Sequence, residues 1–320
     1  MRFEDGSIPL SGIDANDDTY RITTRSDIHK LAASIQTVGL IAPPLVIPVP
    51  GQKAFRIISG FRRFAACRML GWKTFDVRIG ETEYDPLECI RLAISDNVCQ
   101  RTLNLIEIAR AIYLLSRHIA SMSDLAAECQ RLDLAGSSAL IRKMLVVNDL
   151  PATIKQGILS DSISMKTAID LGALPDDAGV TLARVFQELK LSFSKQTEII
   201  LMLKEIGARE NKPIMAIFEE SEWGSIITNG ETDRNQKAGQ LRKYIKCRRF
   251  PVISDIEKRF NFLIKNLDLG RAIHLVPPRN FEGTNWNFRL DFTSLDELRE
   301  AKNILARVID DPALKDILSI

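Results

Sequence analysis

Arg62 and Arg63 follow Gly60 where the apolar run Ile57-Ile58-Ser59 gives way to Phe61-Arg62-Arg63-Phe64-Ala65-Ala66. A strand that breaks at a glycine into a helix leaves the first N–H groups of that helix without intrahelical partners. Two guanidinium forks on the same first turn add planar donors, and together these are the parts of a phosphate site. The plainer reading is a helix start whose arginines are only solvated. With a nucleotide at this turn the chain is a switch or an enzyme.

Other residue types narrow the chemistry. His29, His118 and His274 are far apart and accompany no nucleophile motif, so a hydrolase triad has no support. The five cysteines, Cys67, Cys89, Cys99, Cys129 and Cys247, are scattered without a C-x-x-C pair. They predict reduced, buried thiols in a cytosolic protein and argue against structural zinc. Between 234 and 249 seven cations occur without an acid, Arg234, Lys237, Arg242, Lys243, Lys246, Arg248 and Arg249. Such a run is either a solvated helix face or a surface that neutralises DNA phosphates. Trp72 and Trp286 read as core or interface residues rather than stacking platforms.

The elements that must position these groups follow from the pattern of apolar residues. At 320 residues the chain has room for two or three domains, and its net charge of +2 leaves the question of nucleic acid to local charge. The N-terminus lacks the pattern of a signal peptide, and Leu40 to Val49 is broken by Pro43, Pro44 and Pro48, so no span is expected and the chain reads as soluble and intracellular. Ser26 can cap a helix with apolar positions Ile28, Leu31, Ile35 and Val38, ended by Gly39. Leu45-Val46-Ile47 and Phe55-Arg56-Ile57-Ile58 read as a hairpin, and Phe75 to Ile79 as a half-buried strand.

From Asp85 to about Glu220 the pattern is helical. A helix opens at Leu103 to Glu107 and runs to His118. Ser123 to Glu128, a break at Leu134 to Gly136, and Ser137 to Leu145 have the layout of a helix-turn-helix. Ser137, Ser138, Arg142 and Lys143 at the start of its second helix are types that contact phosphates and bases. Residues 221–235 read as a linker or a mobile loop. Beyond them a helix to Leu267, two strands near 272–276 and 286–292, and a helix capped at Ser294 complete the chain.

This ordered set resembles the ParB family of DNA-partition and chromosome-organising proteins. The likeness rests on Leu31 to Ile35 with Gly39-Leu40 and Pro44-Leu45-Val46, then on Ile58-Ser59-Gly60-Phe61-Arg62-Arg63, where the family has Gly-Glu-Arg-Arg. It continues through Asp96-Asn97-Val98-Cys99-Gln100-Arg101, similar to the family's Glu-Asn-x-Gln-Arg box, and through the helix-turn-helix ending at Leu150-Pro151. Asn287 to Phe292 with Leu295 to Leu305 resembles the family's dimerisation domain.

The resemblance implies an α+β multidomain chain. A small α/β ParB/sulfiredoxin-like nucleotide-binding domain would occupy 1–102, an all-α helix-turn-helix domain 103–220, a basic linker 221–250 and a small αββα dimerisation-like module 251–320. It implies CTP as ligand, with Gly60, Arg62, Arg63, Asn97 and Arg101 at the triphosphate, Gly39 and Pro44 bordering the base, and Asp96 placed for Mg²⁺. Double-stranded DNA would meet Ser137, Ser138, Arg142 and Lys143, and also Lys237, Arg242, Lys243, Arg248 and Arg249. The implied assembly is a homodimeric clamp, cytoplasmic and nucleoid-associated, with a partition ATPase as partner and no membrane contact.

Two departures bear on turnover. Phe61 replaces the family's glutamate beside the phosphates, and an ungapped match displaces Arg101 by one residue, about 100° around a helix. Both point to a triphosphate held and at most weakly hydrolysed, with catalytic residues unassigned. The rivals are a nuclease or small-molecule kinase on the same fold, using Asp96 and Glu107, and a transcriptional regulator with a vestigial pocket.

Overall fold

Two apolar runs separated by a proline-glycine turn make a hairpin, and that hairpin forms one side of the first sheet. In the computed structural model, which describes residues 1–134 and 136–319, β1 (Phe3–Pro9), β2 (Leu45–Pro48), β3 (Phe55–Ser59) and β4 (Thr74–Gly80) take the order β1-β4-β2-β3. β2 pairs antiparallel with β3 and parallel with β4, and β1 pairs antiparallel with β4 from Phe3↔Gly80 to Pro9↔Thr74. Helices α1 (His29–Val38) and α2 (Phe61–Met69) pack together and supply Ala32, Ile35, Phe64 and Cys67 to a core with Ile8, Val46, Ile57, Phe75 and Val77. Each large apolar side chain so buried contributes roughly 1.5–3 kcal/mol. Trp72 packs against this core. Helix α1 starts at His29, whose N–H donates to Asp27 Oδ1 at 3.2 Å, so Asp27 rather than Ser26 holds its entry.

Helix α3 (Pro86–Gln100) lies against β3 and leads into α4 (Leu105–Ser116). The N-cap Asn104 and Glu107, the third residue of the helix, form a reciprocal capping box that fixes where α4 begins. Helices α5 (Met122–Arg131) and α6 (Ser138–Asp149) follow in helix-turn-helix order; the expected break at Leu134 to Gly136 includes residue 135, which lies outside the described residues. Helix α6 packs on α4, and α7 (Ala152–Leu159), α8 (Met165–Gly172) and α9 (Ala178–Leu189) pack on one another. These elements belong to one compact unit, residues 1–193.

The second unit begins at Ser194. It holds α10 (Phe193–Glu210), α11 (Ile214–Phe218), α12 (Ser221–Thr228), α13 (Arg234–Arg249) and α14 (Pro251–Leu267). Then come β5 (Ile273–Val276), β6 (Asn287–Leu290), α15 (Leu295–Ile309) and α16 (Pro312–Leu318). Helix α12 forms where the sequence suggests a linker, because Trp223 is buried against Phe218 with ring centroids 4.5 Å apart. The last elements enclose a core of Phe260, Leu267, Ile273, Leu275, Ala301, Val308 and Ile317, with Trp286 5.8 Å from Phe260.

Four of the seven cations of α13 are tied to acids from the segments around it. Arg248 bridges Glu210 and Glu220 and donates to the Tyr244 hydroxyl, Arg249 meets Glu205, Arg242 meets Glu198, and Lys246 meets Glu257. The Arg248 guanidinium, with Arg209 beside it, holds the Glu210 carboxyl down at about 2. A carboxyl depressed from 4.5 in the folded state stabilises the fold above its unfolded value and loses that contribution as pH falls toward about 2. Urea midpoints of the second unit's unfolding, followed by Trp223 and Trp286 fluorescence, are therefore expected to drop between these pH values, and less steeply in Arg248→Leu. The same slope in both proteins would contradict the pairing.

Among the described residues no helix is long and apolar enough to cross a membrane. Cys67, Cys89 and Cys129 are buried as expected of reduced thiols, whereas Cys99, in the last turn of α3, is exposed.

Candidate functional site

The sharp turn from β3 into α2 is possible because Gly60 takes φ +102°, a left-handed conformation that disfavours any side chain. A Cβ here would also lie 2.8 Å from Pro44 Cβ and 2.9 Å from Pro44 Cα. Pro44 therefore closes over Gly60, and the turn admits no other residue without displacing it. No side chain caps the start of α2, so the amides of its first turn remain directed at whatever lies before them.

A cavity of about 320 Å³ opens at that turn. Gly60, Arg62, Arg63, Asn97, Arg101 and Asp96 all line it, so residues from two separate stretches of sequence meet in one place. Ser59, Phe61, Gln100, Thr23 and Arg25 complete much of the wall. Gly39 and Pro44 do not line it: Gly39 ends α1 with φ +79°, and Pro44 acts through its contact with Gly60. Ser59 and Gln100 stand inside the two boxes without being singled out by them, whereas Thr23 and Arg25 carry no motif of their own and are marked only by their nearness to the glycine-arginine turn in space.

The arginines are held in different ways. Arg63 Nη1 donates to the carbonyls of Ala42 at 2.7 Å and Pro43 at 3.3 Å, and Nη2 to Asp96 at 3.2 Å. Arg62 Nη2 donates to the Asp27 carbonyl at 2.7 Å, while its Nε is buried and has no hydrogen-bond partner. A buried N–H without a partner costs about 1–3 kcal/mol unless something accepts from it. Asp96 accepts from Arg63, Gln100 and the Ser59 hydroxyl, and Asn97 donates to the Ala93 carbonyl.

Arg101 faces the cavity but is committed elsewhere. Its Nη1 and Nη2 donate to the two Glu107 oxygens at 2.5 and 2.8 Å, and Nη2 also reaches Thr23 Oγ1 at 3.2 Å. Glu107 is fully buried. Burial works to raise its carboxyl, and Arg101 with the amides of Thr24 and Asn104 more than offsets this, leaving it below the ordinary range. Arg101 thus serves a buried structural carboxylate in this arrangement. With every Glu107 lone pair so directed, that residue is unavailable as the general base an enzyme would need.

No cluster of three or more His, Cys, Asp or Glu side chains that could hold a metal occurs among the described residues. Asp96 alone still fits Mg²⁺, which takes one or two carboxylates and completes its shell with substrate phosphates and water. Phe61 packs on the domain core, with the Arg21 guanidinium 5.9 Å above its ring, so the position of the family's glutamate is apolar.

The second candidate surface is α6. Ser137 caps it through Leu140 N–H at 3.3 Å, while Arg142 and Lys143 are exposed on the side turned away from buried Ile141, Met144 and Val147. The third, α13, is largely neutralised: Lys237 donates to the Ile227 carbonyl, and Arg242, Arg248 and Arg249 are in the ion pairs described above. Lys243 has no ion-pair partner among the described residues. The acid-free run therefore overstates free positive charge, because its counter-charges come from α10, Glu220 and Glu257 of α14.

The ParB N-terminal domain matches residues 6–98, the stretch that builds most of the cavity. The nucleoid occlusion protein of Bacillus cytotoxicus is 32% identical over 221 residues, covering 67% of this chain and 72% of that protein. The nucleoid occlusion protein of Bacillus pumilus is 31% identical over 201 residues, 62% of this chain and 66% of the relative's own length. A C-terminally truncated chromosome-partitioning protein ParB from Caulobacter crescentus, solved with CTP-gamma-S, shares 25% identity over 58% of this chain and 99% of its own, with a TM-score of 0.28. The domain match falls on the very segments that meet at Gly60, and the Bacillus relatives extend the likeness beyond them. The chain belongs to the ParB family.

Proposed function

We propose that this chain is a DNA-binding protein of partition type, acting in chromosome or plasmid segregation, whose state on DNA responds to CTP. One observation carries the nucleotide part: the buried Arg62 Nε, a donor without an acceptor, in a cavity that uncapped helix amides and Arg63 also face. A triphosphate supplies the acceptors these groups lack. CTP is the nucleotide that membership of the family suggests, and Asp96 would contribute to Mg²⁺ held on its phosphates. Turnover is slow in this reading, since Phe61 is apolar and Arg101 is occupied by Glu107.

DNA is read by α6, with Arg142 and Lys143 on its exposed face and Ser137 and Ser138 at its start. Among the α13 cations Lys243 remains free to reach a phosphate. A second copy of the chain joins at the C-terminal module. There Phe262, Phe288, Phe292 and Leu295 are exposed, and the two-stranded β5-β6 sheet has open edges. A two-fold protein of this kind selects two-fold DNA. Relatives named for nucleoid occlusion support a place on the nucleoid in the cytoplasm, and the family likeness suggests a partition ATPase as a further partner.

The test is equilibrium binding to a duplex that the chain itself selects from a random library. Arg142→Ala with Lys143→Ala is expected to weaken binding and to lower the slope of log affinity against log salt by about 1 for each cation that meets a phosphate. An unchanged affinity and slope would remove α6 from the interface. Light scattering of the free chain is expected to give a dimer, and a monomer would remove the C-terminal contact.

A further inference from the structure

The cavity at Gly60 and helix α6 are linked through a buried carboxylate. Glu107 Oε1 accepts from Thr24 N–H at 2.9 Å, from Thr24 Oγ1 at 3.3 Å and from Arg101 Nη2 at 2.8 Å; Oε2 accepts from Arg101 Nη1 at 2.5 Å and Asn104 N–H at 3.0 Å. Asn104 Nδ2 donates back to Thr24 Oγ1 at 2.8 Å, and its own side-chain oxygen accepts from Glu107 N–H at 3.0 Å. The cavity wall on this side is Thr23, Arg25 and Arg101, which flank Thr24 or hold Glu107 directly. On the other side, Glu107 is the third residue of α4, the helix that packs on α6.

The physical consequence is that these parts do not move independently. A ligand that draws Thr23 or the Arg101 guanidinium toward its phosphates pulls on the acceptor that fixes the start of α4. A shift of α4 is in turn felt by α6, since their packed side chains have no slack. Conversely, DNA that reorients α6 loads the same carboxylate. A buried charge in contact with five donors has one well-defined arrangement, so the linkage has discrete states rather than a gradual give.

We infer that Glu107, with Thr24, is the positioning residue through which nucleotide occupancy and DNA occupancy sense each other. The role is distinct from binding: neither Glu107 nor Thr24 lines the cavity, and neither lies on the exposed face of α6. The inference rests on the nucleotide and DNA reading given above. Coupling of this kind is a ratio of affinities, and by linkage it is the same whichever ligand is titrated.

The experiment is calorimetric titration of the full chain with CTP and Mg²⁺, alone and on its selected duplex, in the wild type, Glu107→Gln and Thr24→Val. In the wild type CTP affinity is expected to differ between the free and DNA-bound protein by on the order of tenfold. In Glu107→Gln each affinity taken alone stays within a few-fold of wild type while their ratio falls toward one. Thr24→Val keeps the capping box and the Arg101 pair and removes only the hydroxyl bridge, so it is the variant that decides if Glu107→Gln does not fold; its ratio is expected to fall as well. A wild-type ratio preserved in Thr24→Val, or in a folded Glu107→Gln, would overturn the inference. A wild type that binds no CTP at all contradicts the nucleotide reading instead, and the two failures are told apart by the wild-type titration.

Discussion

Arg101→Ala is expected to destabilise the first unit by about 3–5 kcal/mol, the cost of leaving a buried carboxylate without its counter-charge. Glu107 has no exposed surface from which water could replace the guanidinium, and only the Thr24 and Asn104 groups would remain as donors. Arg101→Lys keeps a charge but loses the two-pronged geometry, so its loss is smaller. Exchanging both partners together, Arg101→Met with Glu107→Leu, is expected to cost less than the sum of the single changes, since residues in direct contact do not add. Urea unfolding of the wild type, Arg101→Ala, Arg101→Lys, the single variants Arg101→Met and Glu107→Leu, and their combination measures all of this. Additive losses would show that the pair is not coupled.

Arg62→Ala is expected to weaken CTP binding by roughly 10- to 100-fold, the worth of a hydrogen bond to a charged group at about 1.5–3 kcal/mol. The folded state gives up only the bond to the Asp27 carbonyl and is relieved of an unpaired buried Nε, so thermal stability should change little. DNA affinity without nucleotide should be unchanged, because Arg62 is remote in sequence and packing from α6. Calorimetry with CTP separates these outcomes, and equal affinity in the variant would remove Arg62 from the site.

Much of the candidate site is legible in the sequence because its central device is local. A strand, a glycine and a helix are contiguous from Ile57 to Met69, and the left-handed φ of Gly60 is what a glycine at that junction announces. The hairpin of β2 and β3 and the helices α5 and α6 are likewise set by neighbours in the chain. The capping box of α4 was also within reach, as Asn104-Leu105-Ile106-Glu107 has the spacing of one. What that spacing hides is the partner: Glu107 is bound by Arg101 and by Thr24, 83 residues away.

The rest depends on long-range contacts. Strand β1 has only Ile8 buried and no clean alternation, and it exists because β4 offers an edge to pair with. Helix α12 depends on Trp223 meeting Phe218 within a stretch otherwise suited to a loop. The cations of α13 look free in sequence because Glu198, Glu205, Glu210 and Glu220 lie 24 to 44 residues before their partners or, for Tyr244, its acceptor. Gly39 and Pro44 follow from family likeness rather than from spacing, and the structure gives them backbone roles: one ends α1 and the other covers Gly60.

The central claim is that the cavity at Gly60 holds a triphosphate with a cytosine base. The most direct measurement is calorimetric titration of the wild-type chain with CTP, ATP and GTP in Mg²⁺, run beside Arg62→Ala. The account predicts saturable binding of CTP at one site per chain, much weaker binding of ATP and GTP, and loss of the CTP signal in the variant. No binding of any nucleotide, or CTP binding that is indifferent to Arg62, would contradict it.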